Sequence, residues 1–176
     1  RFYDSGMLRE EGLADEKEGN SKKHGFWTYW YENGQKQAEI NYKDGEQDGP
    51  YTTWYENGQK EFELSNKDGK GQLSTWWDKN GQKNYEENYK DGKKDGLSTW
   101  WYENGQKQDE ENYKDGKLDG LSTWWYENGE LERKRNWENG TLNGTSTLWY
   151  ESGQKRSKGN YKEGKLISVE VVWTPN

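Results

Sequence analysis

Aromatic and threonine-rich segments alternate with polar segments along this chain. The segment Leu97–Tyr102 is rich in threonine and aromatic residues, which favour β-strands, and it runs into Asn104-Gly105. Asn-Gly predicts a hairpin, either through a type I′ turn or through a three-residue turn with glycine in a left-handed bulge. The polar segment Gln106–Lys114 returns, and Asp115–Gly120 turns the chain again. Each unit is therefore predicted to contain two antiparallel strands and two tight turns.

This pattern recurs with a period of 24 residues. The heptapeptide WYENGQK occurs at Trp30, Trp54 and Trp101, and diverged copies occur near Trp76, Trp125 and Trp149. Successive copies of each turn glycine are 24 residues apart, except for one step of 23 that comes from a deletion near Gly69. The first-turn glycines are Gly34, Gly58, Gly81, Gly105, Gly129 and Gly153, and the second-turn glycines are Gly45, Gly69, Gly92, Gly116, Gly140 and Gly164. Such periodicity indicates a repeat architecture.

Two neighbouring columns of aromatic residues follow from this period. The invariant column is Trp30, Trp54, Trp77, Trp101, Trp125 and Trp149. The mixed column is Tyr29, Thr53, Trp76, Trp100, Trp124 and Leu148. Adjacent strand residues point to opposite faces, so the two columns are predicted to lie on different faces. The invariant column is interpreted first as the core ladder that holds the sheet together. Tyr29, Trp76, Trp100 and Trp124, if exposed, would form a binding surface.

The predicted fold class is all-β: an elongated single-layer antiparallel β-meander or solenoid of tandem two-stranded hairpin repeats. Residues 1–24 are interpreted as an irregular N-terminal repeat or cap, and residues 25–165 as six tandem repeats of 24 residues. Residues 166–176 are interpreted as a C-terminal capping strand, because Leu166–Trp173 is the one aliphatic-rich segment.

The composition supports a thin aromatic architecture. Hydrophobic residues make up only 27% of the chain, yet it contains 12 Trp and 13 Tyr, so aromatic faces must replace a thick aliphatic core. The net charge of −7 disfavours binding to nucleic acids or to anionic membrane surfaces, which require clustered Lys and Arg. No apolar run reaches the length of a membrane-spanning helix, so no membrane insertion is expected.

Candidate catalytic and metal-binding residues are few. The second turns pair Asp44 with Asp48, Asp91 with Asp95, and Asp115 with Asp119. Calcium requires six to eight oxygen ligands, so two carboxylates per loop favour ordinary turn chemistry. His24 is the sole histidine and cysteine is absent, which disfavours zinc sites and catalytic triads. The sequence therefore predicts a non-enzyme without catalytic residues, metal or cofactor.

The consensus GxxxxWYENGxKxxExxYKDGKxDG resembles the MORN-repeat variant of bacterial proteins. The resemblance extends from Gly25 to Lys165 and rests on both turns and the aromatic columns. It implies a β-hairpin ribbon with a scaffold or partner-binding role. Some bacterial relatives carry an antitoxin label, which would imply a toxin-neutralising partner. Others are exported or surface proteins, which favours a bacterial exported or cell-surface location slightly over the cytoplasm.

Three functions remain open at this point. The leading hypothesis is a scaffold for protein–protein interaction through the aromatic surface. Repeats of Trp, Tyr and Gly hairpins also occur in choline-binding and glucan-binding proteins, so a cell-wall or carbohydrate-binding module is the second. Neutralisation of a toxin is the third. Terminal edge strands could also pair with another copy of the chain by sheet extension.

Overall fold

The computed structural model describes residues 1–15, 22–67 and 71–172 of the chain. These residues form fifteen β-strands, and none of them is helical. The strands are antiparallel, as the repeat pattern requires, and they form two compact units, Arg1–Lys83 and Asn84–Asn176. The prediction of an all-β meander of hairpin repeats is confirmed. The predicted deletion at Gly69 and the residues after 172 of the predicted capping strand lie outside the described residues.

The first unit contains six strands, each paired with its neighbour in the sequence. They are β1 (Glu10–Asp15), β2 (Lys22–Trp30), β3 (Lys36–Lys43), β4 (Glu46–Trp54), β5 (Lys60–Lys67) and β6 (Gly71–Trp77). Phe2 and Leu8 form an isolated bridge across a further turn at Tyr3–Gly6. This turn carries a backbone hydrogen bond from Gly6 to Tyr3 of 2.9 Å, as in the turns of the complete repeats.

The second unit continues the meander. Its strands are β7 (Lys83–Lys90), β8 (Lys93–Trp101), β9 (Lys107–Lys114), β10 (Lys117–Leu118), β11 (Gly120–Trp125), β12 (Leu131–Glu138), β13 (Thr141–Trp149), β14 (Lys155–Lys162) and β15 (Lys165–Val172). Short β10 and then β11 both pair with β9, and every later strand pairs with the one before it.

The first turn of each repeat is the three-residue turn with a glycine bulge. In the first copy, the Gly34 amide donates to the Tyr31 carbonyl at 3.0 Å and the Tyr31 amide donates to the Gln35 carbonyl at 2.8 Å. Gly34 has a φ of +83°, whereas Asn33 is not among the residues with positive φ. A type I′ turn would need positive φ at both positions, so the Asn-Gly signal here selects the bulged alternative.

The type I′ geometry belongs instead to the second turn. Asp44 and Gly45 have φ values of 52° and 89°, which is the pair that this turn requires. The residue before the turn glycine keeps this conformation in four other repeats, at Asp91, Asp115, Asn139 and Glu163. Asp and Asn tolerate the left-handed region better than most residues, which explains the recurring Asp-Gly pair.

Small polar residues occupy the most buried positions. Ser98 and Ser122 are 0% exposed, and the neighbouring Thr99 and Thr123 are 5% and 6% exposed. All residues of the invariant and mixed columns are half-buried. In a single-layer sheet, large side chains lean over the short side chains beside them, but no second layer covers the large ones.

Candidate interaction faces

The two faces of the sheet carry different side chains in every repeat. Ser98 lies across from Glu87 and Glu111, whereas Thr99 lies across from Glu86 and Glu110. We name the Ser face for Ser74, Ser98, Ser122 and Ser146, which share it with the mixed column. We name the Trp face for the invariant Trp column, which lies beside Thr75, Thr99, Thr123 and Thr147. The predicted placement of the two columns on opposite faces follows from this register.

The Trp face has three parallel columns in each unit. Beyond the Trp and Thr columns lies an outer apolar column, formed by Phe26, Pro50 and Leu73 in the first unit and by Leu97, Leu121 and Thr145 in the second. Phe26 is 66% exposed, Leu121 is 43% exposed and Leu97 is 39% exposed. Half-buried tryptophans and exposed apolar residues thus share this face, with the Thr column between them.

Lysine–glutamate pairs border the Trp column. Lys60 lies 3.1 Å from Glu63, and its ammonium group is 5.1 Å from the centre of the Trp77 ring. Lys36 and Lys107 form the equivalent pairs with Glu39 and Glu110. Exposed pairs of this kind contribute little to stability, typically below about 1 kcal/mol. They lie on the returning strands, between the Trp and Thr residues of successive repeats.

The tyrosine after each invariant Trp links neighbouring repeats. The Tyr31 hydroxyl donates to the Trp54 carbonyl at 2.8 Å, and Tyr102 donates to the Trp125 carbonyl at 2.7 Å. Tyr55 and Tyr126 make the same bond to the next repeat. The pKa of Tyr102 is raised by burial and by nearby carboxylates. These tyrosines, which recur in five of the repeats, are structural clamps between neighbouring repeats.

The turn asparagines reinforce the same junctions. Asn104 donates to the Glu127 carbonyl at 2.7 Å, and its side-chain oxygen accepts from the Gln106 amide at 2.9 Å. Asp78 replaces the usual Tyr in one repeat, and its carboxylate accepts from the amides of Asn80 and Gln82. Beside these turns lies a hollow of about 480 Å³, lined by Trp101, Tyr102, Glu103, Asn104, Gln108 and Glu127.

The Ser face of the first unit is largely aromatic. Phe62 lies between Tyr51 and Trp76, with ring centres 5.5 Å and 4.7 Å away. Lys23 places its ammonium group 4.3 Å from the Trp27 ring centre and 4.8 Å from that of Tyr29. A cation held over aromatic rings in this way fills the cage that the rings form.

A second lysine fills a similar cage in the second unit. Lys94 lies 5.7 Å from the Trp100 ring centre, 5.3 Å from that of Tyr113, and 2.7 Å from the Glu87 carboxylate. Glu87 is only 4% exposed and also accepts hydrogen bonds from the hydroxyls of Tyr85 and Tyr89. Burial opposes its ionisation, but these bonds outweigh burial, so the pKa of Glu87 lies below its ordinary value.

Charges of both signs lie further along the same face. Asp109 and Glu111 lie on β9, and Arg133 and Arg135 lie on β12. Burial and the Glu111 charge raise the pKa of Asp109 to about 6, although Arg133 acts against this. Arg133 stacks on Trp124, with its guanidinium carbon 4.5 Å from the ring centre. Burial and the charge of Arg133 lower the pKa of Arg135.

The paired aspartates of the second turns do not converge. Asp95 accepts from the Asp115 amide at 3.3 Å, and Asp119 accepts from the Asn139 amide at 3.0 Å, so each supports the turn of the next repeat. Within residues 1–15, 22–67 and 71–172, no group of three or more His, Cys, Asp or Glu could hold a metal ion. The same part of the chain has no helix long and apolar enough to cross a membrane.

The structure distributes the predicted site residues between two surfaces. Tyr29, Trp76, Trp100 and Trp124 lie on the Ser face, and the six invariant tryptophans lie on the Trp face. Sequence reasoning expected Glu87 and Glu111 to pair with lysines across strands, but it did not single out Asp109, Arg133 and Arg135, whose positions vary from repeat to repeat. The sequence signal for them is a pair of alternating positions on the returning strand. These positions hold Ala38 and Ile40 in the first repeat but Arg133 and Arg135 in a later one.

These features define a class of antiparallel hairpin-repeat proteins, in which each short unit is held to the next by turn side chains. Within this class, the model of the MORN repeat variant family matches six segments. They are residues 23–44, 47–68, 73–91, 94–115, 118–139 and 142–163. The chain belongs to the MORN repeat variant family and is a repeat scaffold. A search of curated proteins found no match.

Proposed function

We propose that this chain is a non-catalytic scaffold that binds a protein partner through its Trp face. The observation that carries the proposal is the exposed outer column beside the tryptophans, with Phe26 66% exposed and Leu121 43% exposed. Exposed large apolar side chains mark interaction sites, and tryptophan is prominent among residues that dominate binding energy. The Lys–Glu pairs lie between the apolar residues of successive repeats and would add polar contacts to such an interface.

The side chains with shifted pKa values support a non-catalytic role. Glu87 is engaged by Lys94, Tyr85 and Tyr89, so its charge is matched within the protein. A catalytic carboxylate would instead need a free approach for substrate. Asp109 and Arg133 lie on an open sheet face, whereas the hollow beside the first turns is lined by other residues.

The lysine cages bear on the alternative of choline binding. The rings around Lys23 and Lys94 already hold an ammonium group, so a quaternary ammonium ligand would have to displace the protein's own cation. Stacking of sugars on the Trp face stays open as an outcome of the experiment. Neutralisation of a toxin is one form of protein binding, and the same capture experiment would detect it.

Affinity capture from the source organism tests the proposal. The native chain is compared with a variant that carries Phe26→Thr, Leu97→Thr and Leu121→Thr, which copies the natural Thr145 of the last repeat. A matched control carries Leu166→Thr and Val169→Thr, which are 52% and 56% exposed. The captured protein is then titrated in purified form against all three chains.

The expected result is one protein that the native and control chains retain, with affinity for the Trp-face variant at least tenfold weaker. Equal binding to all three chains would place the contact elsewhere and contradict the proposal. Retention of glycan without protein would make the chain a carbohydrate-binding module.

A further inference from the structure

We infer that the Ser face of the second unit is self-complementary, and that two copies of the chain pack against each other through it. This goes beyond the proposed function, which concerns the opposite face. The two carboxylates of β9 and the two guanidinium groups of β12 would meet across the interface. The Trp faces of both copies would remain exposed.

The carboxylates of β9 and the guanidinium groups of β12 form no ion pair with one another within one chain, although Glu111 accepts a hydrogen bond of 2.6 Å from the Tyr113 hydroxyl. Strand β11 lies between β9 and β12, so Asp109 and Arg133 are separated by two strand spacings, roughly 10 Å. Glu111 and Arg135 occupy the next positions on the same strands and the same face. Asp109 and Arg133 therefore form no ion pair, which requires contact within about 4 Å, and Arg133 acts on Asp109 only by weaker attraction over a longer distance.

The arginine pair is the least satisfied part of the face. The Nε atoms of Arg133 and Arg135 are buried and have no hydrogen-bond partner. The nearest carboxylate to Arg133 in an ion pair is Glu132, at a loose 3.7 Å. Among the residues that the structure describes, none forms an ion pair with Arg135, which lies between Ser122 and Ser146. Half-buried guanidinium groups without a carboxylate favour an external one.

The residues across the face are arranged so that acidic and basic positions lie at equal distances on either side of β11. One row of directly opposed residues runs Tyr85, Trp100, Asp109, Trp124, Arg133, Leu148 and Ser157. A two-fold axis parallel to β11 would place β9 of one copy over β12 of the other. Asp109 would then face Arg133 of the partner subunit, and Glu111 would face Arg135 of the partner subunit. Each contact would occur twice, as in an isologous interface.

The sizes of the side chains match under the same operation. Strand β7 would lie over β14 of the partner subunit, so that Tyr85 would face Ser157 of the partner subunit and Glu87 would face Gly159 of the partner subunit. Trp100 would face Leu148 of the partner subunit, and Trp124 would meet its own copy. Large residues thus oppose small ones at the sides, as close packing of two sheet faces requires.

A polyanion is a poorer occupant for this face. Nucleic acid or an anionic membrane approaching Arg133 and Arg135 would also meet Asp109 and Glu111 on a chain of net charge −7. This face carries negative charges on β9 and positive charges on β12, so it is matched by a face with positive charges opposite β9 and negative charges opposite β12. The second copy provides that surface without any other partner.

Sedimentation analysis of charge-swapped full chains tests the inference. The first variant carries Asp109→Arg and Glu111→Arg, and the second carries Arg133→Glu and Arg135→Glu. The native chain is expected to dimerise, and each variant alone is expected to dimerise at least 100-fold more weakly. An equal mixture of the two variants is expected to form a dimer with one copy of each, because an all-basic face then meets an all-acidic face.

A matched control changes charges on the same strands but on the Trp face, with Glu110→Lys and Lys134→Glu, and it should dimerise like the native chain. Circular dichroism confirms that each variant is folded. A native chain that stays monomeric at several hundred micromolar would overturn the inference. A dimer that survives both swaps would also overturn it and would indicate pairing of edge strands. Folded variants that fail to recombine in the mixture would contradict the proposed charge matching.

Discussion

At the scale of single residues, the aromatic side chains divide into clamps and surfaces. The tyrosine hydroxyls that follow the invariant tryptophans are used up in bonds to the next repeat, whereas the tryptophan rings remain half-exposed. The sequence places both in one uninterrupted aromatic cluster, so it does not separate the two roles. The distinction depends on a carbonyl 22 or 23 residues away, which no local pattern reveals.

The clamp can be tested by removing one hydroxyl. Tyr102→Phe deletes the bond to the Trp125 carbonyl and leaves that acceptor without its partner. We expect a loss of about 1 kcal/mol in the free energy of unfolding, measured by urea denaturation. Tyr161→Phe is the matched control, since no hydrogen bond of that hydroxyl is found in the described structure. Equal effects of the two changes would argue against the clamp.

The ion pair of Glu87 and Lys94 offers a second test at this scale. Lys94→Leu introduces the residue that the next repeat carries at the equivalent position, Leu118. The change leaves Glu87 buried without its cation. Allowing for the partial exposure of Lys94, we expect a loss of about 2 kcal/mol at pH 7. The double variant Glu87→Ile with Lys94→Leu should recover most of it, because Ile40 occupies the equivalent position in the first repeat.

The pH dependence of this pair has a definite sign. The folded-state pKa of Glu87 is below its ordinary value of 4.5, so its contribution to stability is present above that value. The contribution is lost as pH falls through the lower, folded-state pKa. The difference in unfolding free energy between native and Lys94→Leu chains should therefore shrink on acidification. A difference that stays constant down to pH 2 would contradict the assignment.

At the scale of strands and turns, the repeat pattern is highly informative. The 24-residue period and the alternation of residues across a strand predict the meander and the assignment of neighbouring columns to opposite faces. The pattern does not decide which Gly turn is type I′. Asn33-Gly34 and Asp44-Gly45 carry nearly equivalent signals, and the choice depends on how the flanking strands pair.

The type I′ turns predict a sharp difference between two substitutions. Asp115 has a φ of 50°, and a β-branched residue is strained in that conformation. Asp115→Val should lower the unfolding free energy by about 1–2 kcal/mol, whereas Asp115→Gly should be close to neutral. Glu103→Val, in the other turn of the same repeat and without positive φ, is the control. Thermal unfolding of all three chains decides whether backbone conformation is the cause.

At the scale of the whole molecule, the candidate surfaces could be predicted only in part. The sequence places Trp100 and Trp101 on different faces, but it does not show which face keeps an exposed apolar column. The row that contains Asp109 and Arg133 was not predicted, because the two residues belong to different repeats and come into one row only through strand pairing. Residues that depart from the consensus carry this information, whereas the consensus itself reports the fold.

The proposed dimer should weaken in acid. In the single chain the pKa of Asp109 is about 6, so below this pH the carboxyl holds a proton that it must release to pair with Arg133 of the partner subunit. The charged groups nearest to it on this face are Glu111, Arg133 and, from β8, Lys94. Because both Asp109 carboxyls of the dimer must release a proton, we expect the dissociation constant to rise by up to about 100-fold per pH unit as the pH falls below 6.

Sedimentation at pH 7.5 and pH 5 measures this effect. Asp109→Asn provides the control, because it cannot titrate and should dimerise more weakly with a flatter pH profile. An unchanged profile in that variant would assign the pH dependence to another group.

The order of residues along the returning strands has a consequence for how such a chain can evolve. Its repeats are similar enough in amino-acid sequence that the gain or loss of one complete repeat would leave every hairpin and clamp intact. Yet a repeat gained between β9 and β12 would move the acidic and basic positions apart, whereas a repeat gained elsewhere would leave them on either side of β11. Copies that differ by such an internal repeat would fold equally well but fail to recognise one another, so the place of a new repeat would decide which chains can pair.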